Sequence, residues 1–287
     1  MLYITANKSI SNIGNKNLIH LPIRKRKMNL DILKYFDETD SAGVQIFKLK
    51  DNERNNFFAK LPQAFRILYI PDEDLDWRLD NIETDKKTEI LEKIPTLPHL
   101  QSGEFAEIFL FYFIPEKYAP NAFLRPPKWK WKEGKNHPPH YTDVLIFNQD
   151  NIQLPTTDDF VISVESKARA TKPANGTSSL KLAILDAQKD HVGRLAESLV
   201  QISTKYKDEK DLDALGKLDR FIKVAKHPTF KKNFFAVAVV DNNYADAHIA
   251  NMGAIPQDIK DSFQVLLVRI SDLKNGYEKT YGEMPNT

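Results

Sequence analysis

The sequence contains no cysteine, and this absence excludes disulfide bonds and thiolate metal sites. A chain without cysteine suits a reducing cytosol, so we expect a cytoplasmic protein. The N-terminus lacks a charged start followed by an apolar run, which is the pattern of a signal peptide. The longest apolar stretch, residues 108–114, is too short to cross a bilayer, so we expect no membrane association.

Strong charge of one sign is also absent, because 41 lysine and arginine residues face 39 aspartate and glutamate residues in a chain of 287. A net charge of +2 gives the whole protein no strong electrostatic attraction to nucleic acid, so any basic binding surface must be local. The chain also lacks the phosphate-binding P-loop and the HExxH, GxSxG and GxGxxG motifs. Common signatures of nucleotide binding, zinc proteolysis and serine hydrolysis are therefore missing.

The first third of the chain divides into two parts. Residues 1–27 are rich in Asn, Ser and Ile, lack periodicity and end in four basic residues, so we expect a loosely held or non-native extension, with Met28 as a candidate natural start. Residues 28–94 predict a smaller N-terminal α/β segment. Its elements are a strand at 44–49, a helix at 55–69, an acidic turn at 71–76 and a short helix at 85–93.

Residues 95–287 predict a larger α/β domain after a proline-marked boundary. Ser102 is a plausible N-cap for a core helix that is apolar around most of its circumference. Residues 234–240 and 263–270 form almost uninterrupted apolar runs, which are typical of strands covered by helices on both sides. The other predicted elements are strands at 128–132, 144–147 and 160–167 and helices at 180–205 and 215–225.

The predicted strand at 160–167 ends in Glu165-Ser166-Lys167. Side chains two residues apart on a strand share a face, so Glu165 and Lys167 should project together. Such a pair is either a surface ion pair or half of a metal-dependent hydrolase site. Asp143 directly precedes the neighbouring strand, and Glu104 lies near the start of the core helix, where Glu107 competes for the same role.

This order of groups resembles the PD-(D/E)xK, or restriction-endonuclease-like, nuclease superfamily. The resemblance rests on a helix with Glu104, Asp143 at a strand, the Glu165-x-Lys167 ending of the next strand and a long helix after it. It implies a restriction-endonuclease-like core, which is a mixed central sheet flanked by helices. The Gly103-Glu104 opening and the lysine-rich stretch before Asp143 also resemble the DUF1837 domain of HamA, from the bacterial Hachiman anti-phage system.

The resemblance implies roles for these groups. Asp143 and Glu165 would be the main ligands of Mg²⁺ (or Mn²⁺), which prefers hard carboxylate oxygens and keeps several waters. The Ser166 carbonyl would be a third ligand and Glu104 would complete the acidic side, while Lys167 would position or deprotonate the attacking water. Two further residues are candidate accessory groups: Glu107 and Gln188.

A local basic surface is predicted next to this site. In the strand predicted at 128–132, lysines occupy one face and Trp129 and Trp131 the other. The residues that we expect to hold the DNA backbone are Lys128, Lys130, Lys132, Arg169 and Lys172. The alternative is that the lysines form a solvated strand edge, since lysine protects edge strands.

Three functions follow, in decreasing order of preference. The first is a metal-dependent DNA endonuclease, with a helicase partner implied by the family resemblance alone. The second is a degenerate nuclease fold that binds nucleic acid or assembles a complex. The third is an interaction protein whose acidic residues are structural. Convergence of Asp143, Glu165 and Lys167 at one place in the structure would favour the enzyme.

Overall fold

The computed structural model describes residues 30–139, 142–151, 153–172 and 177–287. The expectation for residues 1–27 lies outside these ranges. A 3₁₀ turn (Leu33–Tyr35) precedes a hairpin of strands β1 (Phe36–Ser41) and β2 (Val44–Leu49). The helices that follow are α1 (Arg54–Tyr69), α2 (Asp72–Asn81), α3 (Lys86–Leu91) and α4 (Pro98–Tyr118).

The rest of the described chain alternates between strands and helices. Strands β3 (Val144–Asn148) and β4 (Phe160–Arg169) precede helix α5 (Ser179–Lys189), a π-helical turn (Asp190–Arg194) and helix α6 (Leu195–Asp208). The last elements are α7 (Leu212–Ile222), β5 (Lys231–Asp241), α8 (Ala245–Ala250), β6 (Phe263–Ile270) and α9 (Leu273–Glu283). No helix of the described residues is long and apolar enough to cross a membrane.

Within the described residues, six strands form one mixed sheet in the order β1-β2-β6-β5-β4-β3. The pairs β2–β6, β6–β5 and β5–β4 are parallel, and the two outer pairs are antiparallel. Residues 234–240 of β5 and most of β6 are apolar and buried on both faces, as strands between two helical layers should be. The prediction of an α/β protein with a mixed central sheet flanked by helices is confirmed.

Two apolar clusters cover the two faces of the sheet. Helices α1, α4 and α9 lie on one face, where Ile162 and Val164 of β4 meet the aromatic residues of α4. Helices α5, α6 and α7 lie on the other face, which receives Val161 and Leu145. The period-two alternation of a strand thereby sends successive residues of β4 into different layers. Odd-numbered residues such as Glu165 and Lys167 belong to the face covered by α5.

Helix α9 contacts α1 closely, and one glycine allows this contact. An ideal Cβ built on Gly276 would lie 2.0 Å from Cζ of Phe58. No side chain fits there unless the Phe58 ring moves, and Phe58 is buried in the core.

Three local predictions are wrong. Residues Lys128–Trp131 form a short 3₁₀ helix rather than a strand, and Trp129 packs edge-on against Phe111 in the core. The predicted turn at 71–76 belongs to α2. The single helix predicted at 180–205 is interrupted by the π turn.

The predicted N-terminal segment contributes to the same sheet as the remainder of the chain. Strand β2 pairs in parallel with β6, from Gln45 opposite Leu266 to Lys48 opposite Arg269. The division of the chain between residues 94 and 95 stays a prediction. Helix α4 begins at Pro98 rather than at Ser102, with the proline in the first helical turn, where its missing N–H costs nothing.

Candidate active site

The β3–β4 hairpin brings Asp143 beside the end of β4. Val144 pairs with Val164, so Asp143 arrives opposite Glu165. The backbone N–H and the hydroxyl of Ser166 donate to Oδ2 of Asp143, at 2.8 and 3.0 Å. The backbone N–H of Asp143 points to Oε1 of Glu165 at 3.4 Å. Two acids that are 22 positions apart in sequence are thereby fixed side by side.

The carboxylate of Glu165 is buried, with 3% of its side chain exposed. Burial, together with the negative charges of Asp143 and Asp190, raises the pKa of Glu165 to about 9. A guanidinium nitrogen of Arg194 lies 2.7 Å from Oε1 of Glu165 and offsets part of this effect. The carboxyl group is therefore held in a place where an added positive charge would stabilise its ionised form.

Lys167 lies on the same face of β4, at the rim of the site. Its ammonium group is 4.0 Å from Oε2 of Glu165 and 2.6 Å from Oδ2 of Asp186 on α5. Burial lowers the pKa of Lys167, but the carboxylates of Asp143, Asp186 and Glu165 outweigh it and the net shift is upward. The lysine is therefore charged at neutral pH, and its side chain is 30% exposed.

The π turn supplies two further charged groups to the site. Asp190 is buried and accepts a hydrogen bond from the hydroxyl of Ser163 on β4. Arg194 donates to Asp190 at 2.5 Å and to the carbonyl of Asp186 at 2.8 Å, in addition to its contact with Glu165. The turn therefore holds a guanidinium group between two acids of the site. π turns within α helices are rare and frequently occur at functional sites.

Glu107 of α4 joins the site through Lys128. The buried ammonium of Lys128 lies 3.1 Å from Oε2 of Glu107 and 3.6 Å from Oδ1 of Asp143. The indole N–H of Trp129 also donates to Glu107, at 3.3 Å. Burial, which the ammonium of Lys128 partly offsets, raises the pKa of Glu107 to about 8. Of the two acids proposed on α4, Glu107 is the one connected to Asp143 by a single shared cation.

Glu104 lies in a separate buried network one turn earlier on α4. Its Oε1 contacts the ammonium of Lys132 at 2.5 Å, and its Oε2 accepts from the Tyr69 hydroxyl at 2.5 Å. The Tyr69 hydroxyl also lies 3.0 Å from that of Tyr281. Burial raises the pKa of Glu104, although Lys132 and Tyr69 act in the opposite direction. Both oxygens of this carboxylate therefore have protein partners, and its role as a metal ligand stays a prediction.

The predicted basic surface is only partly exposed. The ammonium groups of Lys128 and Lys132 are buried in ion pairs with acids of α4, so as placed they do not present charge to a DNA backbone. Lys130 pairs with Glu209 on the other side of the 3₁₀ helix, at 2.7 Å. The expectation of exposed lysines on one face of a strand fails because no strand forms there.

The three remaining residues predicted for the site are Arg169, Lys172 and Gln188. Arg169 ends β4 and is half-buried, with its Nε lacking a hydrogen-bond partner among the described residues. Lys172 is exposed in the following loop. Gln188 lies between Asp186 and Asp190, but helix positions two apart do not share a face. Their contacts with DNA and the accessory role of Gln188 stay predictions.

The side chains of Asp143 and Glu165 suit a hard divalent cation. Mg²⁺ binds through one or two carboxylates and keeps several waters, so a pair of adjacent acids is a sufficient protein contribution. The raised pKa of Glu165 comes mainly from its burial, to which the negative charges of Asp143 and Asp190 add, and a bound cation would oppose both effects. Among residues 30–139, 142–151, 153–172 and 177–287, no group of three His, Cys, Asp or Glu is placed to hold a metal ion. The two-carboxylate set therefore has to rely on water, backbone or substrate oxygens.

Asp186, Asp190 and Arg194 are the site residues that sequence reasoning missed. They follow one another at four-residue intervals, which is the spacing of neighbours on one helix face. This spacing, on the helix that follows the Glu-Ser-Lys strand ending, indicates a charged face turned toward β4.

The family model for HamA matches residues 23–284, which is most of the chain. No protein with a curated function matches.

Proposed function

The chain belongs to the HamA family, and on that premise we propose that it is a metal-dependent DNA endonuclease. The family indicates an anti-phage defence protein. In the proposal, the chain is the effector of that defence system and cleaves DNA phosphodiester bonds together with a helicase partner. The observation that carries the proposal is the convergence of Asp143, Glu165 and Lys167 at the end of β4.

Asp143 and Glu165 would hold the divalent cation, which supplies a Lewis acid for the phosphate and lowers the pKa of bound water. Ser166 fixes Asp143 by donating two hydrogen bonds to Oδ2, so Oδ1 is the oxygen that faces away from this anchor. Arg194 fixes Glu165 in the same way from the side of the π turn. The chain thereby orients both carboxylates before any ligand arrives, which reduces the entropy that binding has to overcome.

Lys167 has the position of a group that binds and orients the attacking water. Its ammonium is partly exposed, lies 4.0 Å from Glu165 and is steered by Asp186. A charged lysine in this place would stabilise the negative charge that develops on the phosphate oxygens during attack. Because its pKa is raised, the charged form is the one that acts at neutral pH.

A second candidate function is a degenerate nuclease fold that binds nucleic acid or assembles a complex. One observation favours it: the acids of the site already have protein cations as partners. Arg194 pairs with Glu165 and Lys128 lies between Glu107 and Asp143. In the enzyme, the metal ion would bind these acids beside Arg194 and Lys128; in a binding protein the ion pairs alone would neutralise the acids.

Cleavage of supercoiled plasmid DNA with Mg²⁺, with and without a candidate helicase partner, distinguishes the two functions. The enzyme should nick or linearise the plasmid, and chelation of Mg²⁺ by EDTA should stop the reaction. Glu165→Gln and Lys167→Met should remain folded and lose at least about 100-fold in rate, since each removes a group that acts on the reacting atoms. Lys231→Met, at an exposed ion pair with Asp158, is the matched control and should cleave normally.

Equal cleavage by the parent and Glu165→Gln would refute the assignment of the site. DNA binding without cleavage in the parent, in both the presence and absence of the helicase, would favour the second function.

A further inference from the structure

Asp186 of α5 contacts two cations that lie beside Glu165. Its Oδ2 lies 2.6 Å from the ammonium group of Lys167, and its backbone carbonyl accepts a hydrogen bond from Arg194 at 2.8 Å. Arg194 lies 2.7 Å from the carboxylate of Glu165, and the ammonium of Lys167 lies 4.0 Å from it. One residue of α5 is therefore linked to Glu165 through two different cations.

The packing of α5 on the sheet brings this short side chain within reach of β4. Odd-numbered residues of β4 face α5, and Ala183 and Ala187 of α5 are buried in the cluster on that face. Because alanine is small, the helix lies close to the strand, and the aspartate beside Ala187 contacts Lys167 directly. The side chain of Asp186 is 22% exposed, so it lies at the edge of this interface.

The two oxygens of the Asp186 carboxylate have separate partners. Oδ2 contacts Lys167, and Oδ1 contacts the ammonium of Lys189 at 2.6 Å. Burial alone would raise the pKa of Asp186, but its hydrogen bonds with the two lysines outweigh burial, so the pKa lies below its ordinary value of 3.8. Asp186 is therefore a carboxylate at neutral pH, and one of its oxygens is committed to the lysine of the site.

Lys167 needs an anchor that a bound metal ion does not compete for. Lysine carries its charge on a flexible four-carbon stem, so its ammonium keeps one position only where another group holds it. Glu165 is one of the two proposed metal ligands, and a cation bound there would repel the ammonium of Lys167. Asp186 lies closer to Lys167 than Glu165 does and is outside the pair of proposed ligands.

We propose that Asp186 is a positioning residue that holds the ammonium group of Lys167 beside the attacking water while Glu165 binds the metal ion. This inference rests on the proposed function and assigns a part in it to α5. Asp186 contacts neither the metal ion nor the DNA, so its effect on cleavage passes through Lys167. The contact with Arg194 uses the backbone carbonyl, and a substitution of the side chain leaves it in place.

Asp186→Asn tests the assignment because it removes the charge and keeps the size of the side chain. In cleavage of plasmid DNA with Mg²⁺, the variant should lower kcat by about 10- to 100-fold, the range expected when a group that supports a site residue is lost. KM should not rise, because removal of a negative charge does not weaken the attraction of DNA phosphates. Asp186→Glu keeps the charge and should cleave faster than Asp186→Asn.

Two control variants separate this contact from other ion pairs. Asp213 pairs with Lys217 at 2.6 Å on α7, so Asp213→Asn makes the same substitution in an equivalent pair outside the site. This variant should cleave as the parent does. Lys189→Met removes the other partner of Asp186, whose side chain is 65% exposed, and should cleave within about threefold of the parent.

A double-mutant cycle measures whether Asp186 acts through Lys167. Single-turnover cleavage with excess protein follows the parent, Asp186→Asn, Lys167→Met and the double variant. Asp186→Asn should slow the parent but have no further effect on Lys167→Met, because the group that it positions is already absent. An equal effect of Asp186→Asn in both backgrounds would overturn the inference.

The remaining outcomes distinguish this inference from the function beneath it. If the parent cleaves DNA and Asp186→Asn cleaves at the same rate, the inference fails and the nuclease assignment stands. If the parent does not cleave DNA with a candidate helicase partner present, the proposed function fails and this inference fails with it. Asp186→Asn should bind Mn²⁺ within about threefold of the parent, and a loss of affinity of tenfold or more would show that Asp186 acts on the metal ion instead.

Discussion

Replacement of Lys132 by methionine is a direct test of the buried network on α4. Lys132 and Glu104 pair at 2.5 Å, with 4% and 3% of their side chains exposed. Methionine keeps much of the apolar stem of lysine and removes only the charge. The variant leaves a buried carboxylate whose remaining partner in this network is the Tyr69 hydroxyl. Breaking a buried ion pair in this way is strongly destabilising, because the remaining charge lacks compensation.

The cost is limited by protonation of Glu104. A glutamate with an ordinary pKa of 4.5 can be neutralised at pH 7 for about 3.4 kcal/mol, since each pH unit corresponds to about 1.4 kcal/mol. At pH 5 the same step costs about 0.7 kcal/mol. We therefore expect Lys132→Met to lower the free energy of unfolding by about 3 kcal/mol at pH 7 and by about 1 kcal/mol at pH 5.

The sign follows from proton linkage. The folded variant holds Glu104 with a pKa further above 4.5 than the parent does, so it binds a proton that the unfolded chain has released at pH 7. Stability from this group is present at low pH and is lost as the pH rises. The assay is urea unfolding followed by circular dichroism at both pH values. The double variant Glu104→Gln/Lys132→Met should recover most of the loss, and an equal cost for the single variant at both pH values would refute the argument.

Three further predictions concern other parts of the structure. Gly276→Ala should lower the melting temperature, because a Cβ would meet the buried Phe58 ring; overpacking of this kind costs about 1–3 kcal/mol. Arg220→Met should lower the free energy of unfolding in urea by about 3–5 kcal/mol, because it removes the cation paired with Asp159, whose side chain is 1% exposed. The raised pKa of Glu165 makes stability fall between pH 4.5 and about 9, and Glu165→Gln should flatten that pH dependence of unfolding. Unchanged stability in either of the first two variants, or an unchanged pH profile in the third, would contradict these contacts.

Five of the six described strands were predictable because they have clear patterns, whereas β1, which is polar after Phe36, was not predicted. The run at residues 263–270 became β6 with the same bounds, and the run at 234–240 lies within β5. Both strands are buried on their two faces over most of their length, so their sequences are almost continuously apolar there. The pairing order was not predictable, since nothing local in β2 indicates that it would align with β6.

The stretch at residues 128–132 shows why alternation alone misled. Five residues of alternating lysine and tryptophan fit a strand, but they also fit a short 3₁₀ helix. The contacts that favour the 3₁₀ helix join residues distant in sequence: Trp129 packs on Phe111, and Lys132 forms an ion pair with Glu104. Lysines predicted at the surface therefore pair with buried acids on α4. Local periodicity does not contain this information.

The candidate site was predicted in part. Asp143, Glu165 and Lys167 meet at the end of β4, as their order along the chain implies. Arg194 shares the four-residue spacing of Asp186 and Asp190, but it was not predicted because nothing local shows that this helix face packs against Glu165.

The central claim is that Asp143 and Glu165 bind a divalent cation, and a titration with Mn²⁺ tests it most directly. Electron paramagnetic resonance measures bound and free Mn²⁺ without DNA and without a helicase partner. The parent protein should bind Mn²⁺ at least about tenfold more tightly than Glu165→Gln, because the variant loses one of two charged ligands. Asp213→Asn, at a largely exposed carboxylate on α7, should bind as the parent does. Equal Mn²⁺ affinity in the parent and Glu165→Gln would contradict the account.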